Sequence, residues 1–225
     1  MELKPVAYYR GPFGSKFGIP RQSGLAGAVT GRIVFEPAFR DANAVRGLEG
    51  FDRIWLIWGF SANRPAKGEW QPTVRPPRLG GNARLGVWAT RSPFRPNPLG
   101  LSAVRLLRVE AEGPEGPVLH VSGADLMDGT PVYDIKPYIV YADSFPDAAS
   151  GFADGAPVPV LQVVFQAEPP FPEEDSEALR QILSLDPRPA CQQDAEKSFG
   201  FPFQGFDIRF QVSGPVLTVT EILPL

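Results

Sequence analysis

The stretch Arg91-Ser92-Pro93-Phe94-Arg95-Pro96-Asn97-Pro98-Leu99-Gly100-Leu101-Ser102 sets two guanidinium groups, an amide and two hydroxyls among three prolines. Each proline removes a backbone donor and fixes φ, and the residue before it is pushed towards extended geometry. The spacing predicts a stiff, irregular connection that pre-positions Arg91, Arg95 and Asn97. A turn that only reversed the chain would not need two arginines that stay charged at any biological pH, and rigid loops between strands are where binding groups sit. Two more polar clusters fall in loop-like sequence: Pro20-Arg21-Gln22, and Asp125-Leu126-Met127-Asp128-Gly129-Thr130-Pro131. Converging on one rim, the three would suit a ligand with a carboxylate or phosphate, an amino group and a base or sugar. Arginine forks bind carboxylate bidentately, and Asp128 can accept from an ammonium or a ribose hydroxyl. Read alone, the Asp128 segment is more simply a turn whose carboxylate caps its own backbone.

Other chemistries lack their residues. No G-x-G-x-x-G follows a strand-like run and no G-x-x-x-x-G-K-[ST] occurs, so neither a dinucleotide fold nor a phosphate-cradling loop is supported. The lone His120 sits inside Leu119-His120-Val121, a strand-like run, where it reads as a packed or surface residue and not as part of a triad or metal site. A single cysteine, Cys191, excludes an internal disulfide and a multi-cysteine zinc site and suits a reducing cytoplasm. The start, Met1-Glu2-Leu3-Lys4-Pro5, carries no apolar signal region, and no run approaches membrane-spanning length. The net charge of −3 hides an asymmetry. From Arg53 to Arg108 ten basic residues face one acid, Glu69, whereas from Asp143 to Leu225 four basic residues face thirteen acids. Either an anionic partner meets the basic segment, or the two halves attract each other.

The elements that must position these groups are short. With 26 prolines and 23 glycines in 225 residues, strands and turns are favoured over a helical bundle. Expected strands are Val6 to Arg10, Ala28 to Phe35, Arg53 to Ser61, Gly86 to Thr90, Ala103 to Glu110, Pro117 to Val121 and Val132 to Tyr141, with a short helical pattern from Phe39 to Arg46. The run Ile54-Trp55-Leu56-Ile57-Trp58 lacks clean alternation and reads as a central strand buried on both faces. The fold class is mainly β, a barrel or closed sheet, over residues 1–143. Residues 144–159, rich in Ala, Gly, Asp and Pro, read as a linker. Residues 160–225 read as a small α+β domain: a strand to Ala167, a helix opened by Glu173-Glu174-Asp175, and a hairpin around Ser213-Gly214-Pro215. The loop Asn63 to Asn82, with four basic side chains, is of a length that is usually either functional or disordered inside a compact domain.

Taken together, three segments closely resemble the TsaA/TrmO family: Phe17-Gly18-Ile19-Pro20-Arg21-Gln22, the run Gly86 to Ser102, and Asp125 to Tyr138 with its Asp128-Gly129-Thr130-Pro131 and Asp134-Ile135-Lys136-Pro137-Tyr138. Leu185-Asp186-Pro187-Arg188-Pro189-Ala190 resembles the bacterial family's second-domain motif. The resemblance implies a tRNA methyltransferase that uses S-adenosyl-L-methionine to methylate N6 of threonylcarbamoyladenosine at tRNA position 37, beside the anticodon. It further implies a single-sheet β-barrel unlike the Rossmann methyltransferases and a homodimer with the cofactor near the subunit interface. Methyl transfer from a sulfonium to nitrogen is an in-line displacement that needs no metal, and the composition above points to the cytoplasm and no membrane. By motif match, the cofactor contacts fall on Pro20, Arg21, Gln22, Ser61, Ala62, Arg91, Leu101, Asp128, Gly129, Thr130 and Pro131. The proton on N6 would pass to Asp128, Asp134 or Tyr138, although Asp134 and Tyr138 could equally be a strand pair shaping the rim. On the tRNA side stand Arg64, Lys67, Arg75, Arg78 and Arg84 of the basic loop, with Arg95, Asn97 and Arg188. Trp70 offers a stacking surface or packs on the barrel. Two residues depart from the family's pattern: Ser61 where histidine is common, and Cys191 where the second-domain motif ends in tyrosine. Competing readings are a non-catalytic RNA-binding module of the same fold and a methyltransferase on another acceptor.

Overall fold

The computed structural model describes residues 2–62, 70–80, 82–155, 157–188 and 197–225. In chain order the first strands are β1 (Ala7–Arg10), β2 (Thr30–Phe35), β3 (Arg53–Gly59), β4 (Thr73–Val74), β5 (Leu85–Gly86), β6 (Leu99–Glu110), β7 (Val118–Ser122) and β8 (Pro131–Pro137). After them come α1 (Val140–Asp143), β9 (Gln162–Phe165), α2 (Glu173–Ser184), β10 (Phe199–Phe203), β11 (Phe206–Ser213) and β12 (Val216–Pro224). Six strands close into a barrel in the order β1-β2-β7-β6-β3-β8, every neighbour antiparallel, as the mainly β reading expects. Because the neighbours run antiparallel, the end of β1, the start of β2, the ends of β3 and β7 and the starts of β6 and β8 all meet at one end. The three polar clusters are attached there.

The barrel interior explains the local sequence. On β3 the residues Ile54, Leu56 and Trp58 point inward and are buried, while Trp55 and Ile57 are half-buried outside. The strand therefore alternates, and the expectation of burial on both faces is corrected. Trp55 and Ile57 are apolar because the outer face is partly covered: the Trp55 indole donates to Asp143 Oδ2 at 3.0 Å and its ring lies 5.4 Å from that of Tyr138. Trp58 lies opposite Gly100 on β6, and a Cβ there would come within 2.2 Å of the indole. Only glycine lets the indole lie flat across that strand. Tyr9 is likewise clamped, since a Cβ on Gly11 or Gly31 would sit 2.4 Å from its ring or hydroxyl.

Boundaries differ where prolines and loops decide. Gly86 to Thr90 is not one strand: β5 ends at Gly86 and Val87–Ala89 is a 3-10 turn, with Val87 bonded to Pro72 O at 3.0 Å. At the other end of the arginine stretch, Leu99 to Ser102 already belongs to β6. The helical pattern at 39–46 resolves into 3-10 turns, Pro37–Phe39 and Ala42–Val45, and the extended reading of 132–141 ends at Pro137 before α1.

The second sheet has the order β10-β11-β12-β9, antiparallel except for the parallel β12–β9 pair. Helix α2 buries Ala178, Leu179, Ile182 and Leu183 against it, an amphipathic spacing. Strand β10 has no signal in the sequence reading, because Gly200 and Pro202 interrupt it; Pro202 is tolerated because β10 is an edge, where one missing N–H costs no ladder bond. This core also takes in residues from the loop between β1 and β2. Phe13, Ala26 and Val29 are buried in it, with Phe17, Ile19 and Ala28 packed alongside. Phe13 bridges Phe203 in antiparallel fashion, and the Ala28 N–H donates to Gln181 Oε1 at 3.0 Å. The barrel's first loop is thus built on the second sheet. Among the described residues, no helix is long and apolar enough to cross a membrane.

Candidate active site

At the shared barrel end lies a cavity of about 550 Å³. Its walls come from four segments: Ile19 to Gln22 of the loop between β1 and β2, Phe60 to Ala62 after β3, Thr90 to Leu101, and Asp125 to Thr130 between β7 and β8. Backbone bonds fix these segments to each other. Gly24 N–H donates to Gly123 O at 2.8 Å, Phe60 N–H to Pro98 O at 3.0 Å, and Asp128 N–H to Phe13 O at 2.9 Å. Gly129 adopts φ +75°, which the tight turn after Asp128 requires, and the Thr130 hydroxyl closes that turn on Met127 O at 2.7 Å.

The structure brings Pro20, Arg21, Gln22, Ser61, Ala62, Arg91, Leu101 and Thr130 to this cavity, together with Arg95 and Asn97. Gln22 accepts a hydrogen bond from Arg91, which joins the first cluster to the second. Asp128, Gly129 and Pro131 flank the cavity without lining it. The Asp128 carboxylate accepts from Gly11 N–H at 3.1 Å and lies 3.7 Å from the Arg10 guanidinium, so it braces the turn against β1. Asp134 and Tyr138 are elsewhere. Asp134 pairs with Lys136 at 3.1 Å and borders a second cavity of about 510 Å³ beside Arg46 and Phe51.

Among the basic groups expected to meet tRNA, Arg95 turns into its own loop: it donates to Thr90 O at 3.0 Å and Ser92 O at 3.3 Å, and its guanidinium lies 5.4 Å from the Trp88 ring centre. Arg78 donates to Asp154 O at 2.7 Å and to Gly155 O, and Arg84 to the Thr73 hydroxyl at 3.2 Å. Arg75 is exposed. Arg188 forms a fork on Asp186, with bonds of 2.8 and 2.9 Å. Burial alone would raise the Asp186 carboxyl, but the Arg188 hydrogen bonds and charge, and the nearby Arg21 guanidinium, outweigh it and hold the carboxyl below its usual range. Arg64, Lys67 and Cys191 lie outside the described residues. Trp70 and Trp88 are both exposed and stack with centres 6.0 Å apart and planes at 28°.

One site group had a place in the sequence motifs but no role there. The Trp58 indole N–H donates to Ser102 Oγ at 2.9 Å, and the Ser102 hydroxyl donates to Asp125 Oδ1 at 2.6 Å. Burial raises the Asp125 carboxyl above its usual range, against the Ser102 bond, the backbone N–H groups of Asp125 and Ser23, and the Arg91 charge. Nothing in the order Asp125-Leu126-Met127-Asp128 distinguishes the two carboxylates; only the turn geometry sends one inward and the other to Arg10.

A family model described as the tRNA-methyltransferase O N-terminal domain matches residues 8–144, and one described as the TrmO C-terminal domain matches residues 161–225. The tRNA (adenine(37)-N6)-methyltransferase of Escherichia coli (strain K12) is 39% identical over 234 residues, covering 99% of this chain and 98% of that one. A Pseudomonas aeruginosa protein named "Putative S-adenosylmethionine-dependent methyltransferase RcsF" is 41% identical, covering 96% of this chain and 94% of its own length. Among solved structures, TrmO from P. aeruginosa superposes with a TM-score of 0.78 at 32% identity, over 100% of this chain and 97% of that one.

Proposed function

The chain belongs to the tRNA-methyltransferase O family, and on that premise we propose that it methylates N6 of adenine 37 in tRNA with S-adenosyl-L-methionine as donor. The observation that carries the reading to this chain's own residues is the cavity that joins Gln22, Arg91, Leu101 and Thr130 at one barrel end. Its volume, about 550 Å³, falls within the few hundred to about 1,000 Å³ usual for small-molecule sites. The donor set fits the cofactor's chemistry. Arg91 and Arg21 suit its carboxylate, and Trp58, Phe60 and Leu101 its apolar surfaces. When bound, the cofactor supplies a methyl group on a sulfonium. The chain's part is to hold donor and acceptor in line, which can be worth up to roughly 7–11 kcal/mol, and to manage the proton on N6.

The acceptor is adenine 37 carrying a threonylcarbamoyl group. The basic segment from Arg53 to Arg108 supports an anionic macromolecule, and the exposed Trp70–Trp88 stack supports unpaired bases. In this reading residues 1–143 carry the chemistry, 144–159 link, and 160–225 hold the cofactor loop and shape which tRNA is accepted, in the cytoplasm. The test is nucleoside mass spectrometry of tRNA with and without threonylcarbamoyladenosine after incubation with protein and cofactor. Methylation of the modified tRNA alone is expected; equal methylation of the unmodified transcript would sink the stated acceptor, and cofactor-independent tRNA binding with no transfer would favour a binding module.

The chain works as a homodimer. Val140, Tyr141 and Phe145, just past the barrel, are 71, 88 and 70% exposed, an apolar run of the kind that a partner surface covers. Light scattering should return twice the 24.5 kDa chain mass; a stable monomer at micromolar concentration would exclude the dimer.

A further inference from the structure

Among the described residues, Asp125 is the one carboxylate that lines the cavity. Four cationic side chains, Lys16, Arg21, Arg91 and Arg95, line the same cavity, and of these the Arg91 charge bears on Asp125. Its position is set from below by a chain of groups, each of which depends on the next. Gly100 leaves room for the indole of Trp58, the indole N–H fixes the Ser102 oxygen, and the Ser102 hydroxyl fixes Oδ1 of Asp125. Ser102 is 1% exposed, so neither of its bonds is shared with bulk water. The Ser102 hydroxyl and the backbone N–H groups of Asp125 and Ser23 hold the carboxylate in the wall that faces what enters the cavity. The other candidates lie elsewhere: Asp128 is engaged by Arg10 and Gly11, Asp134 by Lys136, and Tyr138, its ring against Trp55, does not line the cavity.

Resting on the reading of the previous subsection, we propose that Asp125 is the proton acceptor for N6, with Ser102 and Trp58 as its positioning residues. The atoms balance without any further reagent. As the N–CH3 bond forms, the carbon–sulfur bond breaks and its electron pair stays on sulfur, leaving a neutral thioether. The N6 proton passes to Asp125, leaving a neutral carboxylic acid that returns the proton to solvent on product release. One positive and one negative charge disappear together, and a desolvated setting favours that outcome more than water does. Burial that raises the Asp125 carboxyl makes its carboxylate a stronger base, and the Ser102 bond opposes that rise by favouring the charged form. The titratable and charged groups that act on it are Tyr9 from β1, whose own phenol is raised by burial and by the Asp125 and Asp128 charges, and Arg91 from the proline-stiffened loop; Lys16, Arg21 and Arg95 line the same cavity.

The test uses the full-length protein, with tRNA carrying threonylcarbamoyladenosine and calorimetry of the cofactor. Asp125→Asn keeps an acceptor for Ser102 but cannot take a proton. Its kcat is expected to fall by about 10²–10⁴-fold, as for loss of a general base. The cofactor Kd should stay within about threefold of the parent value, because the transition-state and ground-state contributions separate in this way. A cofactor Kd that rises while the saturating rate holds would overturn the proposal and make Asp125 a counter-ion of the cofactor; so would a variant unchanged in both. Ser102→Ala gives an independent reading. It keeps the carboxylate but removes a bond that favours its charged form, so the acid limb of kcat should move to higher pH; a limb that stays in place counts against the proposal. If the parent protein binds cofactor but methylates no adenine 37, the acceptor reading fails first and this inference falls with it.

Discussion

Truncating Phe201 to alanine is expected to destabilise the fold by about 3–5 kcal/mol and, at a temperature where the variant is still folded, to weaken cofactor binding about tenfold. The first effect follows from burial. Phe201 is 1% exposed at the centre of the second core, edge-on to Phe17 at 5.9 Å and to Phe210 at 6.3 Å. The second effect follows from what Phe201 touches. Gly18 passes over its ring so closely that a Cβ there would stand 2.6 Å away, and Gly18 holds φ +89°. Ile19, Pro20, Arg21 and Gln22 come next in the chain and enter the cavity wall. Removing the ring removes the support on which that loop is ordered, and each residue that must then be ordered by the ligand costs roughly 1–2 kcal/mol of backbone entropy. Phe199 is the control: it lies on the same strand, buried in the same core and stacked on Phe210 at 5.7 Å, with no ring contact to the loop. Phe199→Ala should lose stability, measured by urea unfolding, while the calorimetric cofactor Kd of the folded protein holds. Equal loss of affinity in both variants would mean that general loosening, not the loop support, is responsible.

That coupling was not legible in the sequence, and the reason is physical. Strand positions with alternating side chains announce themselves locally; Ile54, Leu56 and Trp58 needed only a period of two to be assigned inward, although the apolar outer residues Trp55 and Ile57 hid the period. The closed sheet, helix α2 and the last hairpin were likewise local signals: short apolar runs, an acidic first turn, and Ser213-Gly214-Pro215 between two strands. The docking of Phe13 and Phe17 on Phe201 and Phe203 spans nearly the whole chain, and no periodicity encodes a contact at that separation. The three polar clusters were recognisable by type, but their assignment depended on direction. Asp125 and Asp128 are three residues apart in one turn; the positive φ of Gly129 and the pairing of Asp128 with Arg10 decide which of them faces the cavity. Arg95 shows the same limit: its charge suggested a ligand, whereas its bonds to Thr90 and Ser92 make it a brace for the proline-stiffened loop.

Arg91 has the opposite fate, and Arg91→Ala is expected to weaken cofactor binding by about 10–100-fold, the value of a lost hydrogen bond to a charged group. Its guanidinium reaches across from the stiff loop to Gln22, so it lies at the junction of two cavity walls, and the amide holds it in place without neutralising it. Among the described residues no carboxylate forms an ion pair with it, and its charge bears on Asp125 only through space, so it remains available to a ligand carboxylate. Arg91→Lys should rescue only part of the affinity, because an ammonium cannot present two parallel donors while also bonding Gln22. A second readout separates ligand contact from simple loop damage. Withdrawing the Arg91 charge removes one influence that holds the Asp125 carboxyl down, so the carboxyl rises further and the acid limb of kcat should move to higher pH. Arg95→Ala disturbs the same loop but removes a guanidinium that carries no such influence on Asp125, so its acid limb should stay with the parent's. Calorimetry and a pH–rate profile on the two variants decide the matter. An Arg91→Ala protein with parental cofactor affinity would move the binding site away from this end of the barrel.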